Sequence, residues 1–294
     1  MSFRLANADL RLTLETAGET YRSSRFDWNG LIVQARWRGT ALLGQEKPWG
    51  QRDPRRFGRG LHNEFGIKAP IGYDDCPVGG WFPKIGTGWL KKDHKPYFFY
   101  DPYELDRLEF GVERDRTRAV FRCASGERNG YAYRYAKTIG LTDDGWTIDY
   151  RLENLGAKRL ATTEYVHNFL RVAGKPIGPG YELRFPWTIA ADELAEAVDP
   201  DGAFRLDGDA AVAVGRTKAQ FFFGGLSGGR PAEAGWELVH RPSGLALRER
   251  GDFPAAGVDL WGWRDVVSPE LFHRFDIGPG EAAAWRREYR VRML

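Results

Sequence analysis

Stretch after stretch of this chain alternates apolar and polar residues one at a time. LRLTLE sets Leu10, Leu12 and Leu14 on one face and Arg11, Thr13 and Glu15 on the other. WTIDYRLE repeats the pattern, with Trp146, Ile148, Tyr150 and Leu152 opposite Thr147, Asp149, Arg151 and Glu153. Near the C-terminus Trp285, Tyr289, Val291 and Met293 share a face. Successive side chains on a strand point to opposite sides, so a period of two marks strands with one buried face, the pattern of antiparallel sheets. An all-β fold follows, with very little helix.

Turn residues separate these runs: TDDG at 142–145, RPSG at 241–244 and GPG at 278–280. RPSG is predicted to close a hairpin between WELVHR and LALRER. AADELAEAV, 190–198, is the one segment read as a helix. No repeat or low-complexity linker divides the 294 residues, so one domain spanning 1–294 is expected, a size that single β domains reach. The segment from about 45 to 96 is long but carries Trp49, Phe65, Tyr73, Trp81, Phe82 and Trp89, which argues for order and for function.

Charge narrows the partners. The 43 basic and 40 acidic residues leave a formal net charge of +3, and no basic block is long enough to track a phosphate backbone. Nucleic acid is not an expected partner. No apolar run approaches the roughly 18 residues of a membrane span, and the opening MSFRLANADLRLTLE has no apolar signal core. A cytoplasmic protein, monomeric or homodimeric, is expected. Its two cysteines, Cys76 and Cys123, read as reduced thiols rather than a disulfide framework.

Metal and nucleophile chemistry find little support. The five histidines are scattered, no CxxC pair occurs, and no G-x-S-x-G elbow is present. GTG within KIGTGWLKK lacks the third glycine of a dinucleotide loop. No cofactor is expected. What remains is acid–base chemistry, with His167, Glu270 and His62 as candidates. Imidazole titrates near neutrality and can give and take protons. A lone strand histidine also reads as a hydrogen-bonded structural residue, and Glu270 as a surface acid. The 11 Trp, 12 Tyr and 18 Phe read mainly as a wide β core, with a few rings available to stack on sugar faces.

The stretch KTIGLTDDGWTIDYRLENLGAKRLATTEYVHNFLRVAG resembles the centre of the aldose 1-epimerases, the galactose-mutarotase-like proteins. The corner Asn154-Leu155-Gly156 and the run His167-Asn168-Phe169-Leu170 carry the likeness, the latter one residue tighter than the family's His-x-x-Asn-Leu. Glu270 precedes a Pro279-Gly280-Glu281 turn and a closing aromatic strand, as the family's catalytic glutamate does. LHNEFG is similar to its Leu-His-Gly segment. GQRDPRRFGRG stands where Gly-Arg-x-x-Asn-Arg is usual, and WFPKIGTGWLKK resembles a bacterial branch.

The resemblance implies an antiparallel β-supersandwich and the interconversion of α and β anomers of a free sugar. It implies Glu270 as base and His167 as acid, placed on opposite sides of one pyranose ring. His62 is expected to support developing charge on the sugar, Arg59 or Arg56 to bind it, and Trp261 to stack on it. Trp263 is expected in the core. Asn168 is expected beside the substrate or holding local structure. Lys84 and Lys91 would recognise an acidic or phosphorylated sugar. Because fold does not fix function, a lyase or epimerase acting on a modified sugar and a non-catalytic carbohydrate-binding protein stand as alternatives.

Overall fold

The computed structural model describes residues 2–47, 50 and 53–294; Trp49 lies outside the described residues. Two ten-stranded antiparallel sheets dominate it. The first orders the strands Phe3–Ala6, Leu10–Glu15, Leu31–Trp37, Leu61–Phe65, Leu160–Asn168, Val266–Ile277, Gly257–Trp263, Gln220–Gly224 and Glu196–Val198, with Thr40–Ala41 paired to the third. The second has Ala282–Met293 near its middle, between Leu245–Ala255 and Gly145–Asn154. A small sheet pairs Trp81–Lys84 and Gly88–Lys91, both inside the long segment predicted to be ordered, with Leu105–Arg107 beyond its end.

The alternation locates the core. Leu10, Leu12 and Leu14, together with Trp146, Ile148, Tyr150 and Leu152, are all buried in one large apolar cluster. Trp146 stacks on Tyr289 and Tyr150 on Trp285, with ring centroids 4.8 and 5.0 Å apart. Met293, at the end of its strand, is instead exposed. RPSG closes its hairpin as one turn of 3-10 helix, with Gly244 at φ +65° where a side chain would be strained. GPG turns the chain from Val266–Ile277 in the first sheet to Ala282–Met293 in the second. Both cysteines are free and buried. Among the described residues no helix is long and apolar enough to cross a membrane.

The helix predicted at 190–198 is corrected. Only Ala191–Glu193 turns, as a 3-10 helix, and Glu196–Val198 pairs with Gln220–Gly224 at the sheet edge. Local helix propensity from Ala, Glu and Leu loses here to an open edge offering backbone hydrogen bonds.

Charge also enters the space between the sheets. Arg287, wholly buried, donates to Glu249 at 2.6 Å and to Glu164 at 2.8 Å, with a third bond to the Leu271 carbonyl at 2.9 Å. Tyr289 donates to the Asn168 side-chain oxygen at 3.1 Å, and Trp236 to Glu249 at 2.8 Å. A second buried pair joins Lys137 to Asp27 at 2.6 Å, with Tyr135 donating to the same carboxylate. Buried ions hold only when paired, and both groups are paired, although the Arg287 Nε is left without a hydrogen-bond partner.

Candidate active site

The strand Leu160–Asn168 divides its polar residues by parity. Glu164 and Asn168 face the space between the sheets and join the Arg287 network. Tyr165 and His167 face the opposite way, into a cleft of about 360 Å³ on the outer side of the first sheet. The neighbouring strands supply the rest of its floor: Glu270 and Phe272 from Val266–Ile277, Asp259 and Trp261 from Gly257–Trp263. Arg25 and the rings of Phe99 and Tyr100 also line it.

His167 and Glu270 are in direct contact. Nδ1 of His167 lies 3.4 Å from Oε1 of Glu270, and both side chains are almost wholly buried. The imidazole stacks on Phe169 at 4.1 Å and meets the edge of Trp261 at 4.9 Å. Ser268 donates to Glu270 at 3.2 Å. Asp259 sits directly opposite Glu270 in the strand register. Burial, reinforced by the Asp259 charge, holds the Glu270 carboxyl well above the usual carboxylate range. Burial, then the Arg25 charge, pushes the His167 imidazole well below its usual value. Both groups are thereby driven toward their neutral forms.

Arg25 forms one wall. Its guanidinium donates to Glu64 at 2.8 Å and to the Tyr165 hydroxyl at 3.1 Å. It lies 4.4 Å from the Phe99 ring centroid and 4.8 Å from that of Tyr100. Burial opposes its charge, but Glu64 and its neighbours more than compensate, so it stays cationic. Arg25 had no motif to mark it: it stands alone in SSRFDWNG and converges on the cleft only through the fold. Asp259 could have been read from VDLWGW, where it falls on the same strand face as Trp261.

The other expected residues fall elsewhere. His62 pairs with His167 in register but is enclosed by Tyr21, Phe26 and Phe169, and does not line the cleft. Burial lowers its pKa to about 3, so it is uncharged at neutral pH. Lys84 is buried, donating to the Phe65 carbonyl at 2.7 Å and to Tyr97 at 3.2 Å, and burial lowers it to about 8. Lys91 pairs with Glu104 at 2.9 Å. Arg59 is bound to Glu15, and Arg56 is exposed. Asn168 donates to the Pro269 carbonyl at 2.8 Å, on the far side of the sheet from the cleft. Trp261 lines the cleft. Trp263, expected in the core, is half-buried. Among the described residues no three of His, Cys, Asp and Glu converge to hold a metal ion.

No family model and no curated protein matches the sequence. Solved structures do match in fold. The Slr1438 protein from Synechocystis sp. PCC 6803 is 15% identical over 100% of this chain and 96% of its own, with a TM-score of 0.64. A putative aldose 1-epimerase from Escherichia coli K12 is 15% identical, covering 100% and 99%, at a TM-score of 0.63. A galactose mutarotase-like protein from Lactobacillus casei is 13% identical, covering 99% and 100%, at 0.56. With nearly full mutual coverage in all three, this chain has the galactose mutarotase-like fold, an antiparallel β-supersandwich.

Proposed function

We propose that the protein is a carbohydrate-active isomerase that interconverts the anomers of a sugar over the His167–Glu270 pair. The single observation that carries this reading is their 3.4 Å contact at the base of an aromatic-walled cleft. The expected placement on opposite faces of a sugar ring gives way to adjacency, and adjacency suits the chemistry. The anomeric hydroxyl oxygen and the ring oxygen are both bonded to C1, so the groups that handle their protons must be neighbours.

The shifts of the two groups favour reversing the expected roles. With Glu270 protonated and His167 neutral, Glu270 gives its proton to the ring oxygen while His167 takes the proton of the C1 hydroxyl. The bond from C1 to the ring oxygen breaks, and a C1 carbonyl forms. The charges so created are an imidazolium and a carboxylate side by side, where each stabilises the other in a low-dielectric site. Rotation about C1–C2 presents the other face. Closure returns both protons, which resets the pair. Trp261 supplies an apolar plane for a sugar face, and the Arg25 guanidinium supplies N–H donors to its hydroxyls.

The test is NMR of freshly dissolved α-glucose, α-galactose and their uronic acids. Wild type is expected to speed the approach to anomeric equilibrium for at least one of them. Glu270→Gln is expected to lose that acceleration by roughly 10²–10⁴-fold. Activity unchanged in Glu270→Gln removes Glu270 from the mechanism.

A further inference from the structure

The outer face of the first sheet holds a second hollow, of about 470 Å³, beside the compartment over Glu270. Ile67, Lys68, Asp259 and Phe272 line both, so the two are halves of one groove. The sequence explains why it opens there. Along the outward face of Leu160–Asn168 the residues run Ala161, Thr163, Tyr165 and His167, small at one end and large at the other. Ala256 and Gly257 face the small end across the sheet. At the strand rise of ~3.3 Å per residue, Ala161 and His167 stand about 20 Å apart, more than one sugar ring occupies.

The second compartment has a distinct polarity. Phe272 and Ile67 give it an apolar surface, and Arg274 and Lys68 bring cations to it. Neither cation forms an ion pair among the described residues. The acids beside them are already engaged: Asp276 accepts from Arg159 at 2.8 Å, and Asp259 accepts the Gly225 backbone N–H at 2.8 Å. A guanidinium without a partner, at the rim of an apolar hollow, is suited to bidentate recognition of a carboxylate.

We propose that the groove binds a sugar chain of two or more units, the reducing unit over His167 and Glu270 and the next, a uronate, in the compartment of Phe272 and Arg274. This rests on the carbohydrate reading of the first compartment and extends it to the substrate class. Calorimetric titration tests it without turnover, using matched pairs: digalacturonate against galacturonate, and lactose against glucose. The acidic disaccharide is expected to bind at least about tenfold more tightly than its monosaccharide, and to gain more than the neutral one. Ala161→Trp, an exposed position where folding is not at stake, is expected to abolish the gain while leaving monosaccharide affinity in place. Arg274→Ala is expected to reduce it for the acidic pair alone. Equal affinity within both pairs, or absence of binding by both disaccharides, overturns the proposal. So does a gain that survives Ala161→Trp, and a gain confined to the neutral pair overturns the uronate assignment. Tight disaccharide binding without anomer exchange would sink the catalytic reading and leave this one standing.

Discussion

Arg287 and Glu164 meet at 2.8 Å in the space between the two large sheets, both side chains wholly shut off from solvent. Glu249 completes the group at 2.6 Å on the other arm of the guanidinium. One cation therefore serves two carboxylates, and burial pushes Glu249 toward its protonated form against the pull of Arg287. Replacing Arg287 by Met leaves two acids with no counter-ion. We expect Arg287→Met to destabilise the fold by roughly 3–5 kcal/mol, read as a lower urea midpoint. A midpoint within error of wild type would show that the acids are neutral and the arginine dispensable.

His167→Asn keeps a polar side chain in the cleft but removes the titrating group. Anomer exchange is expected to fall by roughly 10²–10⁴-fold with the thermal midpoint little changed. The double variant with Glu270→Gln is expected to lose little more than either single change, because the two act as one proton-handling unit. Losses that multiply in the double variant contradict a shared role.

The rate should vary with pH at both ends. Acid is expected to silence the proposed anomer exchange as His167 gains a proton, at a pH below 6.5, since burial and the Arg25 charge lower its folded pKa. Alkali is expected to silence it as Glu270 loses one, well above 4.5, since burial and Asp259 raise its folded pKa. Asp259→Asn removes a negative charge facing Glu270, so the alkaline limb should move to lower pH while the acid limb stays. The full pH–rate profile of both proteins decides this.

Stability should fall on acidification, partly through His62. Its folded pKa of about 3 lies below the ordinary 6.5, so between those values the unfolded chain binds a proton that the folded one does not. Stability contributed by His62 therefore rises with pH across that window, by about 1.4 kcal/mol per pH unit, and is constant above it. His62→Phe, placed among Tyr21, Phe26 and Phe169, is expected to remove one proton's worth of slope. Urea midpoints of both proteins from pH 4 to pH 8 are the measurement; parallel curves would falsify the assignment.

Much of the fold was legible because strand parity is written in the residues themselves. LRLTLE and WTIDYRLE, with their buried faces, need no tertiary information. The segment 190–198 was misread because its edge pairing with Gln220–Gly224 is contributed by a distant part of the chain. The same parity bears on the site. His167 and Asn168 are consecutive on a strand and cannot both face a sugar, and Asn168 faces the Arg287 network. Arg287 was also readable, as a lone charge in register with Trp285, Tyr289 and Val291. Arg25 was not, because its place in the cleft depends on Glu64, Tyr165 and two rings from a loop more than seventy residues on in the sequence. Lys84 was placed by charge and Arg59 by its likeness to a family stretch, and neither distinguishes a cation awaiting a ligand from one already satisfied by Phe65 and Tyr97 or by Glu15.

The strand Ala282–Met293 lies between two neighbours that are synthesised before it. Until it arrives, Gly145–Asn154 and Leu245–Ala255 each present an unzipped backbone edge to their surroundings, and Glu164 and Glu249 await their cation. Closure of the second sheet is thus a late event in biogenesis, and the interval before it is when the nascent chain is most open to chaperone capture or to sticking to its own kind.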